Sequence, residues 1–318
     1  MKRKIRNIAA IFIVVATVAL FIWYFLKHPE YWQELRQVSP WTIVWVILLN
    51  FVMIGVLVLI GSVCIQMCRK RLGVRENFLL TSYSSIANFF GPLQSGPGVR
   101  AAYLKTKHQV RLRDYTLATL IALGLFAFWS ALFLLIGTRP WWQTFGALLF
   151  VAGASYFVIR LFLKRDKKPS ESQFHLSGKL LAQLILFTFL QVCVTVGWYY
   201  VELKAVNPDI HFSQAMSYAG AANFSLFVSI TPDGVGIREA FLLFSQNIHH
   251  VSTQDIVSAN LIDRAAYMIF LGLLFLIVLA MHGREYLNVR KLKKQSLDSR
   301  AQEHPRTKHQ SSAEVGEQ

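Results

Sequence analysis

The residues with the clearest potential for chemistry lie in one short polar segment, Pro232 to Glu239, within the C-terminal third of the chain. The segment reads Pro-Asp-Gly-Val-Gly-Ile-Arg-Glu, so three charged side chains stand among glycines in otherwise apolar surroundings. Charged residues at membrane depth are costly and usually face a partner or a cavity inside the protein. We therefore predict that Asp233, Arg238 and Glu239 belong to a functional site.

The same pattern occurs earlier in the chain. Each copy contains Ser-Tyr, then Ala-Asn-Phe, then Gly-x-Gly-x-Arg. In the first copy these motifs lie at 82–83, 87–89 and 96–100, and in the second at 217–218, 222–224 and 234–238. The predicted tips of the two copies contain Gly96 and Gly98 in the first, and Pro232, Gly234 and Gly236 in the second. One motif is therefore present twice, and Arg100 is the counterpart of Arg238.

A further polar group lies in the last apolar segment. Asn260, Asp263 and Arg264 have the spacing i, i+3 and i+4, which places them on one face of a helix. This face should point into the protein rather than towards lipid. Asp263 and Arg264 are about 100° apart around the axis, so each should find a partner on another element.

The three arginines, Arg100, Arg238 and Arg264, suit an anionic ligand such as a lipid phosphate, because a guanidinium group presents paired donors in a fixed fork. Asp263 and Glu239 would position these arginines or carry protons. Alternatively, the charged residues form buried ion pairs that fix the two motif copies to the last span. The sequence is compatible with both interpretations.

The tip glycines have a related role in the ligand hypothesis. Glycine lets the backbone approach a ligand closely. A helix that begins just after Gly98 or Gly236 would direct its first amide groups at an anion. No metal-ligand or cofactor motif accompanies them, so we predict neither.

Composition assigns the chain to the membrane class. Its 318 residues are 54% apolar and 16% charged, with a mean hydropathy of +0.41. The formal charge is +16, but Lys and Arg occur in short runs between apolar segments. Such runs are typical of cytoplasmic loops, so we expect no nucleic-acid binding.

Apolar segments long enough for a hydrocarbon core of about 30 Å predict an all-α protein with six full transmembrane helices. The predicted spans are about Ile8–Leu26, Trp41–Met67, Tyr115–Gly137, Trp142–Leu163, Leu180–Tyr200 and Ile256–Met281. The two motif copies, at about 76–105 and 212–247, are too polar for ordinary spans. Each should be a hairpin whose first helix, Phe78–Phe90 or Gln214–Val228, rises only about 20 Å. We favour re-entrant hairpins, with short tilted spans as the alternative.

Loop charges predict the orientation of these elements. Basic runs flank the first copy on both sides, whereas the flanks of the second copy contain a single lysine, Lys204. The first hairpin should therefore enter from the cytoplasm and the second from outside, as an inverted repeat. Both termini should be cytoplasmic, with a membrane domain over 1–294 and a disordered tail over 295–318.

Taken together, these motifs resemble the transmembrane domain of the lysylphosphatidylglycerol synthase/flippase family, over about residues 5–290. The resemblance rests on Pro-x-Gly-x-Gly-x-x-Glu at 232–239, Gly-x-Gly-x-Arg at 96–100 and Asp-Arg-Ala-Ala-Tyr at 263–267. It implies a domain that moves an aminoacylated or other phospholipid between leaflets of the cell membrane. The separate synthase domain of two-part members is not expected here, so we expect no enzymatic activity. Asp233 and Arg238 depart from the small or apolar residues that the resemblance implies at these positions.

Three functions remain open from the sequence. The leading hypothesis is a flippase-like protein that handles the head group of an anionic or zwitterionic membrane lipid between the two hairpins. An ion-coupled transporter of a small solute is the second. A non-transporting accessory to a lipid-modifying or glycan-modifying enzyme is the third. No ATP-binding motif is present, so transport would be passive or driven by an ion gradient.

Overall fold

The structure, a computed structural model, describes residues 27, 38–90, 95–135, 146, 149, 153, 174–228 and 237–281. Every regular element in these ranges is a helix, which confirms the predicted all-α class. The helices are α1 Pro40–Met67, α2 Val74–Phe90, α3 Ser95–His108, α4 Leu112–Leu134, α5 Gly178–Val206, α6 Phe212–Val228, α7 Ile237–Phe244, α8 Gln246–His249 and α9 Thr253–Met281.

Four of the six predicted spans are confirmed as helices long and apolar enough to cross a membrane: α1, α4, α5 and α9. α1 begins at Pro40, whose missing N–H costs nothing at the first helical position. α5 is capped by Ser177, whose hydroxyl accepts from the Leu180 N–H at 3.3 Å. The predicted span at 8–26 lies outside the described residues, and within the one at 142–163 only residues 146, 149 and 153 are described.

Each motif copy forms a pair of helices between two of these spans. α2 and α6 both have 17 residues, and they begin at Val74 and Phe212 rather than at the predicted Phe78 and Gln214. Seventeen residues rise about 26 Å, which is longer than expected but still short of a full crossing. The connections at 91–94 and 229–236 are outside the described residues.

The chain divides into two compact units, Met1–Gly272 and Leu273–Gln318. In the first unit, the first hairpin packs in an apolar cluster with α1, the beginning of α4 and α5. The second hairpin packs in another cluster with the end of α4, α5 and the beginning of α9. Each hairpin therefore has its own apolar support. The second unit is described only over Leu273–Met281, the end of α9.

Candidate functional site

Two buried ion pairs join the second hairpin to the last span. Arg238 Nη2 lies 2.6 Å from Asp263 Oδ2, and Arg264 Nη2 lies 2.5 Å from Glu239 Oε1. Arg238, Asp263 and Arg264 are buried, and Glu239 is partly exposed. Two consecutive residues of α7 thus bind two consecutive residues of α9. The expectation that Asp263 and Arg264 take their partners from another element is confirmed.

Local structure explains why these side chains meet. α7 begins at Ile237, directly after Gly236 as predicted, so Arg238 and Glu239 lie in its first turn. A carboxylate in a first turn is favourable, because the free N–H groups there carry partial positive charge. On α9, Asn260 is buried one turn before Arg264, and its amide donates to the Ile256 carbonyl at 2.9 Å. The predicted polar face of α9 therefore points into the protein.

The arginine of the first hairpin has different surroundings. Arg100 is half-buried, and its Nη2 donates to Thr81 Oγ1 of α2 at 3.0 Å. Its Nη1 lies above Gly61 of α1, only 2.9 Å from the point that a Cβ would occupy there. The hydroxyl of Tyr115 in α4 is a further neutral neighbour. Among the described residues Arg100 forms no ion pair, and its buried Nε has no hydrogen-bond partner.

The two motif copies therefore differ in charge although they share a pattern. Ala101 stands after Arg100, at the position that Glu239 occupies after Arg238. The second copy has carboxylates beside its arginine, whereas the first copy holds its arginine among hydroxyl groups and a glycine. A half-buried guanidinium without a carboxylate is suited to bind an external anion.

The glycines of the first hairpin lie inside a helix rather than before one. The predicted start of α3 just after Gly98 is wrong, because the helix begins at Ser95. A Cβ on Gly96 would lie 2.5 Å from the backbone oxygen of Ser84, so this glycine allows the two arms of the hairpin to touch. The space around Gly98 is open within 4 Å. Gly96 therefore serves packing within the hairpin, and only Gly98 leaves its backbone approachable.

The outer ends of the first hairpin are joined by one carboxylate that the sequence did not single out. Glu76 Oε1 accepts from Tyr103 Oη at 2.5 Å and from Lys107 Nζ at 2.7 Å, and contacts His108 Nε2 at 2.9 Å. Burial alone would raise the pKa of Glu76. The hydrogen bonds from Lys107, Tyr103 and His108 outweigh it and lower that pKa to about 2. Glu76 is therefore ionised at neutral pH and holds α2 and α3 together at their ends.

A second residue missed from the sequence is Glu202. The predicted span ends at Tyr200 and so places Glu202 in a loop, but α5 continues to Val206 and buries the carboxyl completely. An acidic residue directly after an apolar run was the available signal. It is ambiguous, because the same residue type is common in external loops.

Pro232, Asp233, Gly234 and Gly236 lie outside the described residues. The structure thus brings together Arg238, Glu239, Asp263 and Arg264, and it places Arg100 in the other hairpin.

These features define a class of protein. Long apolar helices such as α1 and α5 expose large side chains, including Trp41 and Leu186, while charged residues are paired inside. This is the pattern of an all-α membrane protein. Residues 7–274 match the family described as the lysylphosphatidylglycerol synthase TM region, and the chain belongs to this family. No curated protein matches the chain.

Proposed function

We propose that this protein moves a lipid with an anionic, phosphate-bearing head group between the leaflets of the cell membrane. The observation that carries the proposal is Arg100, a half-buried guanidinium held by Thr81 and Tyr115 without an ion pair among the described residues. A buried cation is costly unless an anion compensates it. A passing head group supplies that anion, and membership of the family supports this choice of substrate.

The architecture that we propose has six transmembrane helices and two re-entrant hairpins within 1–294. The parallel between α1–α4 and α5–α9 supports it, because each half has a long helix, a hairpin whose first helix has 17 residues, and a second long helix. The basic loops support cytoplasmic termini and opposite entry of the two hairpins. The head group would cross between the two tips, while its acyl chains stay in lipid.

The charged residues have separate roles in this proposal. Arg100 binds the head group. The two ion pairs, Arg238–Asp263 and Glu239–Arg264, hold the second hairpin against α9. Opening of these pairs would admit the lipid. Asp233 and the tip residues Gly98, Pro232, Gly234 and Gly236 would line the passage. We propose no catalytic step and no cofactor.

A second candidate is a non-transporting accessory to a lipid-modifying or glycan-modifying enzyme. The two closed ion pairs of the second hairpin favour it, because they act as structural connections in the state described here. Arg100 of the first hairpin, which has no ion pair within the described part of the chain, favours transport instead.

Purified protein in proteoliposomes tests the proposal in a leaflet-resolved assay with fluorescent phospholipids. We expect Arg100→Ala to slow the movement of an anionic phospholipid by about tenfold or more, since a hydrogen bond to a charged group contributes about 1.5–3 kcal/mol. Arg100→Lys should restore part of the rate, because it keeps the charge but loses the fork.

The matched control is Lys105→Ala, which removes an exposed cation from the same helix. Its rate should equal that of the wild type. Equal rates for wild type, Arg100→Ala and protein-free vesicles would overturn the proposal and favour the accessory function.

A further inference from the structure

Glu202 is a buried carboxyl group with one unused oxygen. It lies in the last turns of α5 and is 0% exposed. One oxygen accepts a hydrogen bond from the indole N–H of Trp198, one turn earlier on the same helix. The other, Oε2, has no hydrogen-bond partner among the described residues. A buried carboxylate in this condition is strongly unfavourable, because water has been removed without a replacement donor.

The charges around Glu202 increase this cost. Its carboxyl interacts electrostatically with Asp263 of α9, which repels it, and with Arg238 of α7, which attracts it. Arg238 is already paired with Asp263, and Arg264 is paired with Glu239. The described cluster thus contains two guanidinium groups and three carboxyl groups, so an ionised Glu202 leaves one negative charge in excess.

No other element in contact with α5 supplies a compensating cation among the described residues. α6 contributes the neutral Tyr218, and α1 contains no charged residue. The charged residues of α4, Arg113 and Asp114, lie in its first turns, which pack beside the beginning of α5 rather than its end. On α5 itself, Lys204 donates to the carbonyl of Pro208 instead.

We propose that Glu202 is a proton-binding site, neutral while both ion pairs of the second hairpin are closed and able to release its proton when they open. A proton on Oε2 makes the cluster neutral and turns this oxygen into a donor. Asp263 Oδ1, which also lacks a hydrogen-bond partner among the described residues, is an acceptor within electrostatic reach. When α7 separates from α9, Arg238 becomes free to pair with Glu202, and the proton passes to the entering water.

This inference extends the proposed function, because it links movement of the second hairpin to proton exchange. It does not depend on the identity of the lipid. Its first test is infrared spectroscopy of the purified full-length protein, titrated between about pH 5 and pH 8. We expect the carbonyl stretch of a protonated carboxyl group, sensitive to deuterium exchange, in the wild type.

The variants assign this signal. Glu202→Gln, which keeps an oxygen for the Trp198 N–H, should abolish the band. Glu76→Gln is the matched control: the pKa of Glu76 is about 2, so this carboxyl carries no proton in the tested range and the band should persist. Absence of the band from the wild type, or its persistence in Glu202→Gln, would overturn the proposal.

The second test separates this inference from the proposed function. In proteoliposomes the wild-type rate of lipid movement should depend on pH with a one-proton profile, at most about tenfold per pH unit. Glu202→Gln should be independent of pH. A pH dependence retained in Glu202→Gln would refute the proton site while lipid movement stands. The infrared band without any lipid movement would support the proton site and refute the proposed function.

Discussion

Arg238 and Arg264 each bind a carboxylate on the other's helix rather than the carboxylate next to them in the sequence. The helical spacing of Asn260, Asp263 and Arg264 predicted one buried face, and burial confirms it. The partners themselves, Asp263 for Arg238 and Glu239 for Arg264, depend on how α7 meets α9. Such pairings come from tertiary packing, so no local pattern could have identified them.

Removing one member of such a pair should be costly. We expect Arg238→Met to lower the free energy of unfolding by about 3–5 kcal/mol, because Asp263 would remain buried without its partner. Removing both charges, in Arg238→Met with Asp263→Leu, should recover much of the loss, since an apolar pair of similar volume is often neutral. Unfolding of the purified protein in detergent measures both. A double variant no more stable than the single one would contradict this account.

At the level of elements, hydropathy predicted α1, α4, α5 and α9 well because each is a long apolar run. The helix ends were less predictable. α3 includes Gly96 and Gly98 in its first turn, although a Gly-Pro-Gly sequence is typical of a loop. α5 continues past Tyr200 because Glu202 is buried by neighbouring helices rather than exposed in a loop.

The two glycines of α3 should respond to substitution in opposite ways. Gly96→Ala should destabilise the protein by about 1–3 kcal/mol, because the new Cβ would overlap the backbone oxygen of Ser84. Gly98→Ala has open space and should stabilise α3 by about 0.5–1 kcal/mol, since alanine is the better helix former. Thermal unfolding of the two variants side by side decides the matter. Equal melting temperatures would show that Gly96 is not a packing residue.

For the whole molecule, the repeated motif predicted a repeated set of helices. The described residues agree: α2 with α3, and α6 with α7, each follow a long apolar helix and precede another. This comparison uses only the described residues, so it leaves out 1–26, 282–318 and most of 136–173. The relative orientation of the two halves therefore stays a prediction from loop charge.

Cysteine labelling tests that orientation. Thr106→Cys at the end of α3 and Gln254→Cys at the beginning of α9 introduce exposed thiols. If the repeat is inverted, a membrane-impermeant reagent added to intact cells should label position 254 and spare position 106. Inside-out vesicles should give the reverse result. Native Cys64 and Cys68 are buried and Cys193 is partly exposed, so labelling of the wild type under the same conditions gives the background. Labelling of both positions from one side would disprove the inverted repeat.

The absence of a glutamate after Arg100 has a consequence for the history of the chain. A repeat of this kind is the expected product of gene duplication. The two copies now differ at Ala101 and Glu239, and among the described residues the arginine of the first copy has no ion pair whereas that of the second is paired with Asp263. We therefore expect that neither half could replace the other. Judged by the described residues, a chain built from two first halves would hold two arginines of the Arg100 kind, and a chain built from two second halves would hold none.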